Sequence, residues 1–514
     1  MSLISMSVSK KKQALSLMIW CFTLLGIGTG NLANPNLWFD ESLQVWASRG
    51  QDQYPEYDSP VANTPASALH ANYTNSWDPP GFTLSLHFLG KITGQLWIFR
   101  SWTLLLFALS CLTLTMITRK WAPQYLLSSI AGLSLMLSPL LTHYAFEIRP
   151  YMFELLHTAL AVFLVCCCEV TWSKKKCFVF GIALGFTMAS RYPSIFPAIL
   201  CATFIACKFF YQPNNPNLFE LDKPKLSRYL CLFIPSFLIG LTIVALVVSR
   251  QWQQATSQNA YHLMFLICSK PSEVFNWLTL ILWLPMLALL ALRLLPIRVF
   301  PELARKYDLY IAFVLSLNVL RLLVDWGRFI PYSLLFRFNL PCHALLLFSW
   351  MPLLLMLLEY FALQQQRQAW LNRLPSVITL ILTCAIITQA FGFTREDPDP
   401  SIGYLRRLPV NPPPKILSAI NIYPSLRYAC EFGVLKDRPH WQEHVYFYGS
   451  QYPKDQSSVI QKRFEFIASG GEMKETYYQL AQYKHFNLIL ESRNYLQGGR
   501  SKRPGFSTVI IKLD

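Results

Sequence analysis

Residues 97–118, WIFRSWTLLLFALSCLTLTMIT, form an apolar block in which Arg100 is the only charged residue. A block of this length can cross the hydrocarbon layer of a bilayer as an α-helix, which takes about 20 residues. Similar blocks recur along the chain, and they predict an α-helical polytopic membrane protein with about eleven spans. The predicted spans are residues 13–32, 97–118, 122–143, 150–172, 177–190, 193–211, 229–249, 273–295, 309–326, 342–361 and 375–393.

The composition excludes a free cytosolic enzyme. Hydrophobic residues make up 53% of the 514 residues and charged residues only 14%, whereas an average soluble domain has about a quarter charged residues. The net charge is +17, but no basic stripe is interleaved with aromatic residues, so we expect no nucleic-acid partner. Most of the 13 cysteines lie inside apolar blocks, where cysteine behaves as a small hydrophobic residue.

The positions of the cations predict how the spans are oriented. Lys and Arg concentrate in alternate loops, among them 10–12, 174–176 and 223–228. The positive-inside rule places these loops in the cytoplasm. Because the number of predicted spans is odd, the tail after Thr394 is then expected on the outer face of the membrane.

The first outer loop, residues 33–96, is acidic within a basic protein. Its stretch 79–94 is short for a span and carries His87 and Lys91 on one helical face. These features predict an amphipathic helix that lies at the outer membrane surface. If this stretch crossed the membrane instead, the later loops would reverse and the lysines at 174–176 would lie outside, which the positive-inside rule disfavours.

The chain after Thr394 has no further apolar blocks. It contains short runs typical of strands, at 445–448, 487–490 and 508–512, around a helical stretch near 473–484. We therefore divide the chain into a multispan membrane domain, residues 1–393, and a small extracytoplasmic α/β domain, residues 394–514.

Asp40 and Glu41 follow the first predicted span within a few residues, which holds two carboxylates close to the outer membrane surface. Ionisable residues at the ends of membrane helices are candidates for function, because they are expensive to hold there. The alternative is an acidic pair at the N-terminus of a helix, where the helix dipole favours negative charge.

A second candidate group lies at the outer junction of the third and fourth predicted spans, in the segment 143–151, HYAFEIRPY. Arg149 suits a phosphate, because its planar guanidinium group can donate two hydrogen bonds at once. Glu147 would orient Arg149 or help to hold a cation; the alternative is a local Glu147–Arg149 ion pair. Tyr144, Tyr151 and Glu154 are expected to line the same cavity, as are Asp78 and His87 from the first outer loop.

Lys91 and Arg337 add positive charge on the outer side. Snorkelling to lipid headgroups explains any one of these cations. Together with an acidic first loop, however, they fit a transfer from a lipid-linked phosphate, in which a base deprotonates the acceptor hydroxyl and fixed positive charge stabilises the departing phosphate.

The order of these motifs resembles the integral-membrane C-type glycosyltransferases, in the branch of the protein mannosyltransferases and the bacterial lipid A aminoarabinose transferases. The resemblance covers roughly the first 160 residues, with a further match late in the chain. The matching segments are Phe39-Asp40-Glu41, Asp78-Pro79-Pro80-Gly81-Phe82, the start of the second span at Arg100, Ser138-Pro139, Glu147-Ile148-Arg149-Pro150-Tyr151 and Arg337-Phe338-Asn339-Leu340-Pro341.

The resemblance implies a C-type glycosyltransferase fold and an inverting transfer of a sugar from a polyprenyl-phosphate donor to a glycan, lipid or protein acceptor. It implies Asp40 as the general base, accompanied by Glu41, with Glu147 at the position that contacts the acceptor or a divalent metal. Arg149 would lie near the donor phosphate, with Arg337 and Lys91 as further phosphate contacts. Whether Asp40 and Glu147 hold a divalent cation, Mg²⁺ or Mn²⁺, stays open.

Two other functions stay open: a transporter or flippase for a lipid-linked glycan, and a polysaccharide polymerase or ligase. The transporter would more often place polar groups at mid-membrane depth, and the polymerase would centre on a large late outer loop. By resemblance, a small α/β tail favours the bacterial inner membrane. The endoplasmic reticulum is the alternative, for which the chain offers one glycosylation sequon, Asn72-Tyr73-Thr74.

Overall fold

The structure is a computed structural model of the full chain. Apart from a few isolated positions, the residues that it describes are 39–51, 63–75, 78–121, 125–136, 138–210, 222–257, 277–294, 305–327, 339–364, 416–418, 423–432, 445–447, 466–470, 486–492 and 508–513. The first predicted span is described only at isolated positions, and the last, 375–393, lies outside the described residues.

Helices make up almost all of the described part of residues 39–364. In chain order they are α1 Phe39–Ser48, α2 Pro65–Asn75, α3 Gly81–Ile92, α4 Leu96–Trp121, α5 Tyr125–Met136, α6 Pro139–Tyr144, α7 Tyr151–Cys167, α8 Lys174–Gly185, α9 Ile195–Phe210, α10 Lys223–Ser257, α11 Trp277–Leu294, α12 Asp308–Gly327, α13 Leu340–Phe348 and α14 Trp350–Gln364. Two short 3₁₀ turns, Phe186–Ala189 and Tyr192–Ser194, connect α8 to α9.

Three helical segments in the described part of the chain are long and apolar enough to cross a membrane: Leu96–Trp121, Lys223–Ile243 and Leu340–Tyr360. Shorter apolar helices cover Tyr151–Cys167, Ile195–Phe210 and Ile281–Leu294. The predicted span 122–143 is divided into α5 and α6, because Pro139 begins a new helix that the Ser138 side chain caps. The protein is therefore helical and membrane-like, while the expected number of spans stays a prediction.

The described part of the C-terminal tail contains five strands and one helix. The strands are β1 Ile416–Ser418, β2 Val445–Phe447, β3 Phe466–Gly470, β4 Phe486–Ser492 and β5 Thr508–Leu513, and the helix α15, Tyr423–Glu431, lies between β1 and β2. They form one sheet in the order β2-β1-β3-β5-β4. The first three pair in parallel, and β5 pairs antiparallel to β3 and β4. Strands β2, β4 and β5 coincide with the three strand-like runs named from the sequence.

Contacts divide the chain into two units. Unit 1 contains residues 1–30, 78–82 and 101–393, and unit 2 contains residues 31–77, 83–100 and 394–514. The first outer loop and the C-terminal tail thus belong mostly to one unit. The division of the chain at residue 393 stays a prediction about folding and topology.

In unit 1, helices α8 and α10 run parallel and approach closely at Gly181. A Cβ atom at Gly181 would lie 2.2 Å from the carbonyl oxygen of Leu232, so the helices can meet only because Gly181 has no side chain. One turn later, Gly185 faces Ser236 and Ile239 in the same way. Since both close contacts advance in the same direction, the N-termini of α8 and α10 lie at the same end of the pair.

In unit 2, α15 of the tail packs on α1 of the first loop through two reciprocal cation–π contacts. The Arg427 guanidinium of α15 lies 4.3 Å from the centre of the Trp46 ring of α1. In return, Arg49, just after α1, lies 3.6 Å from the Phe432 ring. Trp46 is completely buried. The tail therefore helps to hold the helix that carries Asp40.

Helix α3 has 12 residues, so it is about 18 Å long and cannot cross a layer of about 30 Å by itself. Phe82, Leu86 and His87 on one face are buried, whereas Phe88 and Lys91 are exposed. This agrees with an amphipathic helix. His87, however, is 2% exposed and is covered by protein. The location of α3 at the outer membrane surface stays a prediction.

Candidate functional site

The Arg191 cluster, defined as Asp78, Glu154 and Arg191, is a charged group in unit 1 in which Glu154 and Arg191 are buried and Asp78 is half-buried. Arg191 lies between the two 3₁₀ turns and donates from Nε to Asp78 Oδ1 at 3.0 Å and from Nη1 to Glu154 Oε2 at 2.6 Å. Burial lowers the pKa of Arg191, but the carboxylates of Glu154 and Asp78 raise it more, and the net shift is upward. Arg191 therefore remains charged at any physiological pH.

The segment 143–151 folds as a compact turn beside this cluster. Ser138 caps α6, which ends at Tyr144, and α7 begins at Tyr151 after Pro150. Glu147 is completely buried, and its Oε2 atom lies 3.9 Å from His143 Nε2. The Tyr144 ring packs on the Tyr151 ring, with 5.1 Å between the centres.

Two guanidinium groups lie near the Tyr151 ring. The Cζ atom of Arg191 is 5.0 Å from the centre of the Tyr151 ring, and the Cζ atom of Arg149 is 5.9 Å from it. Arg191 is 6% exposed, whereas Arg149 is half-buried. Arg149 is therefore the more exposed of the two cations.

These groups all lie at one end of the helices of unit 1. Glu154 is in the first turn of α7, and Arg191 just precedes α9. At the other end of the same helices, the Lys208 ammonium lies 3.5 Å from the Val165 carbonyl oxygen, and an exposed ion pair joins Lys120 to Glu169. The buried cluster and the exposed pair therefore lie at opposite ends of the bundle.

Further buried polar contacts join later helices of unit 1. His343 of α13 lies 2.8 Å from the Ser138 hydroxyl that caps α6. Arg321 of α12 donates from Nη2 to Asn339 Oδ1 at 2.9 Å. Arg337, the predicted phosphate contact two residues before Asn339, lies outside the described residues.

Asp40 and Glu41 occupy the first turn of α1 in unit 2. Glu41 and Arg100 are both completely buried and form an ion pair with 3.3 Å between Glu41 Oε2 and Arg100 Nη2. This pair ties α1 to the start of α4. Glu41 is thus suited to positioning α1, and only the backbone of Asp40 belongs to the described structure.

The remaining predicted residues of the first loop make contacts inside unit 2. The Lys91 ammonium donates to the Asn63 carbonyl oxygen at 2.5 Å. His87 Nδ1 lies 2.8 Å from the Ser48 carbonyl oxygen at the end of α1. Asn72 is completely buried and accepts a hydrogen bond from the Thr83 hydroxyl. A glycan on Asn72 is therefore incompatible with this fold, which removes the sequon as an argument for the endoplasmic reticulum.

The structure brings together six of the residues predicted from the sequence. Within unit 1, ion pairs and ring contacts connect the segment 143–151 to the Arg191 cluster; the six are Asp78, Tyr144, Glu147, Arg149, Tyr151 and Glu154. Arg191 had not been predicted as a site residue, because its only signal in the sequence is a cation in a predicted outer loop. Among the described residues, no group of three or more His, Cys, Asp or Glu is arranged to hold a metal ion.

The described helices define a helical membrane protein, with a cluster of charged side chains packed among the helices of unit 1. No protein-family model and no curated protein matches the chain. Among solved structures, the chain is similar to two crystal structures of ArnT from Cupriavidus metallidurans. One is bound to undecaprenyl phosphate and the other is in the apo state. Each comparison has a TM-score of 0.35 and 12% identity, and covers 99% of this chain and 98% of the other. This likeness is too weak to assign the fold, the reaction or the site residues.

Proposed function

We propose that the protein is a membrane glycosyltransferase that moves a sugar from a polyprenyl-phosphate donor to an acceptor of the cell envelope. The observation that carries the proposal is the pair of guanidinium groups around Tyr151. Arg191 is held by Asp78 and Glu154 and is buried, whereas Arg149 is half-buried and is the more exposed of the two cations. A guanidinium group held in this way suits a phosphate that must be bound and then released.

The proposed reaction follows from the resemblance. Asp40 accepts the proton of the acceptor hydroxyl, and the acceptor oxygen attacks the anomeric carbon of the sugar. The bond from this carbon to the phosphate oxygen breaks, and the polyprenyl phosphate leaves with its negative charge stabilised by Arg149. The polyprenyl chain can remain in the lipid throughout.

Supporting residues hold the proposed phosphate contact in place. Tyr151 packs against Arg149 and Arg191, and Glu147 lies beside His143 within the same turn. Glu41 acts on α1 through its buried pair with Arg100 and is proposed as a positioning residue. A role of Glu147 toward the acceptor or a divalent cation rests on the resemblance alone.

The proposal is tested with the purified full chain in liposomes that contain polyprenyl-phosphate hexoses or pentoses. Asp40→Asn should abolish transfer at an unchanged unfolding temperature, because the substitution is isosteric. Arg149→Ala should raise the KM for the donor. The matched control is Lys120→Ala, which removes an exposed, ion-paired cation at the opposite end of the bundle. It should change neither the rate of transfer nor the KM for the donor. Normal turnover in Asp40→Asn would remove Asp40 from the role of base.

A comparison of cell-envelope glycans by mass spectrometry, with and without the gene, should identify donor and acceptor together through the sugar that is lost. The same liposomes distinguish transfer from transport. A flippase would move a labelled lipid-linked glycan across the bilayer without breaking its bond to phosphate, and that result would contradict the proposal.

A further inference from the structure

An open groove of about 470 Å³ lies along the outside of the α8–α10 pair in unit 1. We call it the basic groove. Phe178, Leu230, Ile234 and Pro235 line its apolar part, and Lys223 and Ser227 line its polar end. Its volume lies within the range of about 300–1,000 Å³ that is typical of small-molecule sites.

The polar end of the basic groove is surrounded by cations. Because α8 and α10 are parallel and both begin there, the lysines of their first turns come together. The cations at this end are Lys174, Lys175, Lys176, Lys223, Lys225 and Arg228. Two of them already have contacts, since Arg228 donates to the Val170 carbonyl oxygen and Lys176 lies over the Trp172 ring.

Few carboxylates oppose this charge in the described part of the chain. Asp222 directly precedes α10, and Glu169 is paired with Lys120. Lys174, Lys175 and Lys223 are all exposed. The end of the groove is therefore strongly positive and accessible, so that it complements an anion.

The apolar part of the groove faces outward from the bundle. Phe178 is 49% exposed and Ile234 is 46% exposed, and the candidate span Lys223–Ile243 begins at the basic end. This arrangement fits a segment whose apolar residues lie in the hydrocarbon layer and whose lysines lie at its surface. The positive-inside rule assigns this surface to the cytoplasmic leaflet, which is where anionic lipids attract basic segments next to a membrane.

We propose that the basic groove binds one phospholipid with an anionic headgroup, its phosphate beside Lys223 and Ser227 and an acyl chain along Leu230 and Ile234. Neither the lysines nor the apolar wall alone would select such a ligand. A zwitterionic lipid would gain less binding free energy from the cations, and a free phosphate would gain none from the apolar residues of the groove. The site is separate from the Arg191 cluster and does not depend on the proposed transfer reaction.

The test is native mass spectrometry of the purified full chain, titrated with phosphatidylglycerol or phosphatidylcholine in detergent. We expect one phosphatidylglycerol to bind in clear preference to phosphatidylcholine. Lys175→Gln/Lys223→Gln should reduce phosphatidylglycerol binding by about tenfold or more, because two cations beside the headgroup are lost. The control Arg119→Gln/Arg305→Gln removes two exposed cations elsewhere in unit 1, one near the end of α4 and one just before α12, and should leave binding unchanged.

A second variant tests the apolar part. Ser227→Phe retains every cation but fills the groove, and it should also prevent binding of phosphatidylglycerol. Inorganic phosphate at the same concentration should not displace the lipid. Equal binding of the two lipids, equal loss in the control variant, normal binding by Ser227→Phe or displacement by inorganic phosphate would each overturn the proposal.

Discussion

Replacement of Arg191 by methionine tests whether the Arg191 cluster is the structural centre of the site. Arg191 is 6% exposed and makes hydrogen bonds of 3.0 Å and 2.6 Å to Asp78 and Glu154. Arg191→Met preserves much of the side-chain volume but leaves the buried Glu154 and the half-buried Asp78 without the guanidinium group that holds both. Breaking a buried ion pair from one side destabilises a protein by about 3–5 kcal/mol. We expect Arg191→Met to lower the free energy of unfolding by at least this amount.

The assay is denaturant-induced unfolding in mixed micelles, followed by tryptophan fluorescence. The triple variant Arg191→Met/Asp78→Asn/Glu154→Gln removes the charges together and should recover most of the loss, because no buried charge then lacks a partner. Arg191→Lys should be intermediate, since an ammonium group lacks the planar fork that reaches both carboxylates.

The matched control is Lys120→Met. Lys120 and Glu169 form an ion pair whose side chains are 38% and 55% exposed, and exposed pairs contribute only about 0–1 kcal/mol. If Arg191→Met were as stable as Lys120→Met, or if the triple variant were no more stable than Arg191→Met, the reasoning from buried charge would be refuted.

Three further predictions concern other parts of the chain. Trp46→Ala should lower the free energy of unfolding by about 3–5 kcal/mol and speed proteolysis of residues 394–514, because it removes the ring that Arg427 covers; a tail with unchanged protease resistance would contradict this. Gly181→Ala should lower the free energy of unfolding by about 1–3 kcal/mol. Gly90→Ala should not lower it, because the new Cβ would be 3.5 Å from its nearest neighbour. Equal effects of the two substitutions would refute the close helix contact. Expression in eukaryotic cells should yield a folded chain with no glycan on Asn72, and a mobility shift of the folded protein after glycosidase treatment would show otherwise.

Local sequence patterns predicted much of the fold. The apolar blocks located most of the described helices, because a helix satisfies its backbone hydrogen bonds within a few residues and needs only an apolar surface to lie in lipid. The short runs at 445–448, 487–490 and 508–512 predicted three of the five strands. Strands β1 and β3 had not been predicted, since such short runs have no distinctive alternation of polar and apolar residues.

The sequence named most residues of the candidate site, but it did not predict which of them contact one another. Glu147, Arg149 and Tyr151 are neighbours in the sequence, so that the chain itself groups them. Glu41 was predicted to accompany a catalytic base, but the structure pairs it with Arg100, 59 residues away. Nothing near Arg191 in the sequence indicated a special role, because its partners come from other segments.

The sequence by itself determined that this is a helical membrane-type chain with an acidic first loop and a strand-containing tail, because hydropathy, charge and turn chemistry act over short stretches. Only the tertiary structure decided which charges meet. Arg191 lies 113 residues from Asp78 and 37 from Glu154, and their pairing arises only when the helices pack. A buried charge must then find a partner wherever the fold brings one, since the protein interior solvates it too poorly to leave it alone.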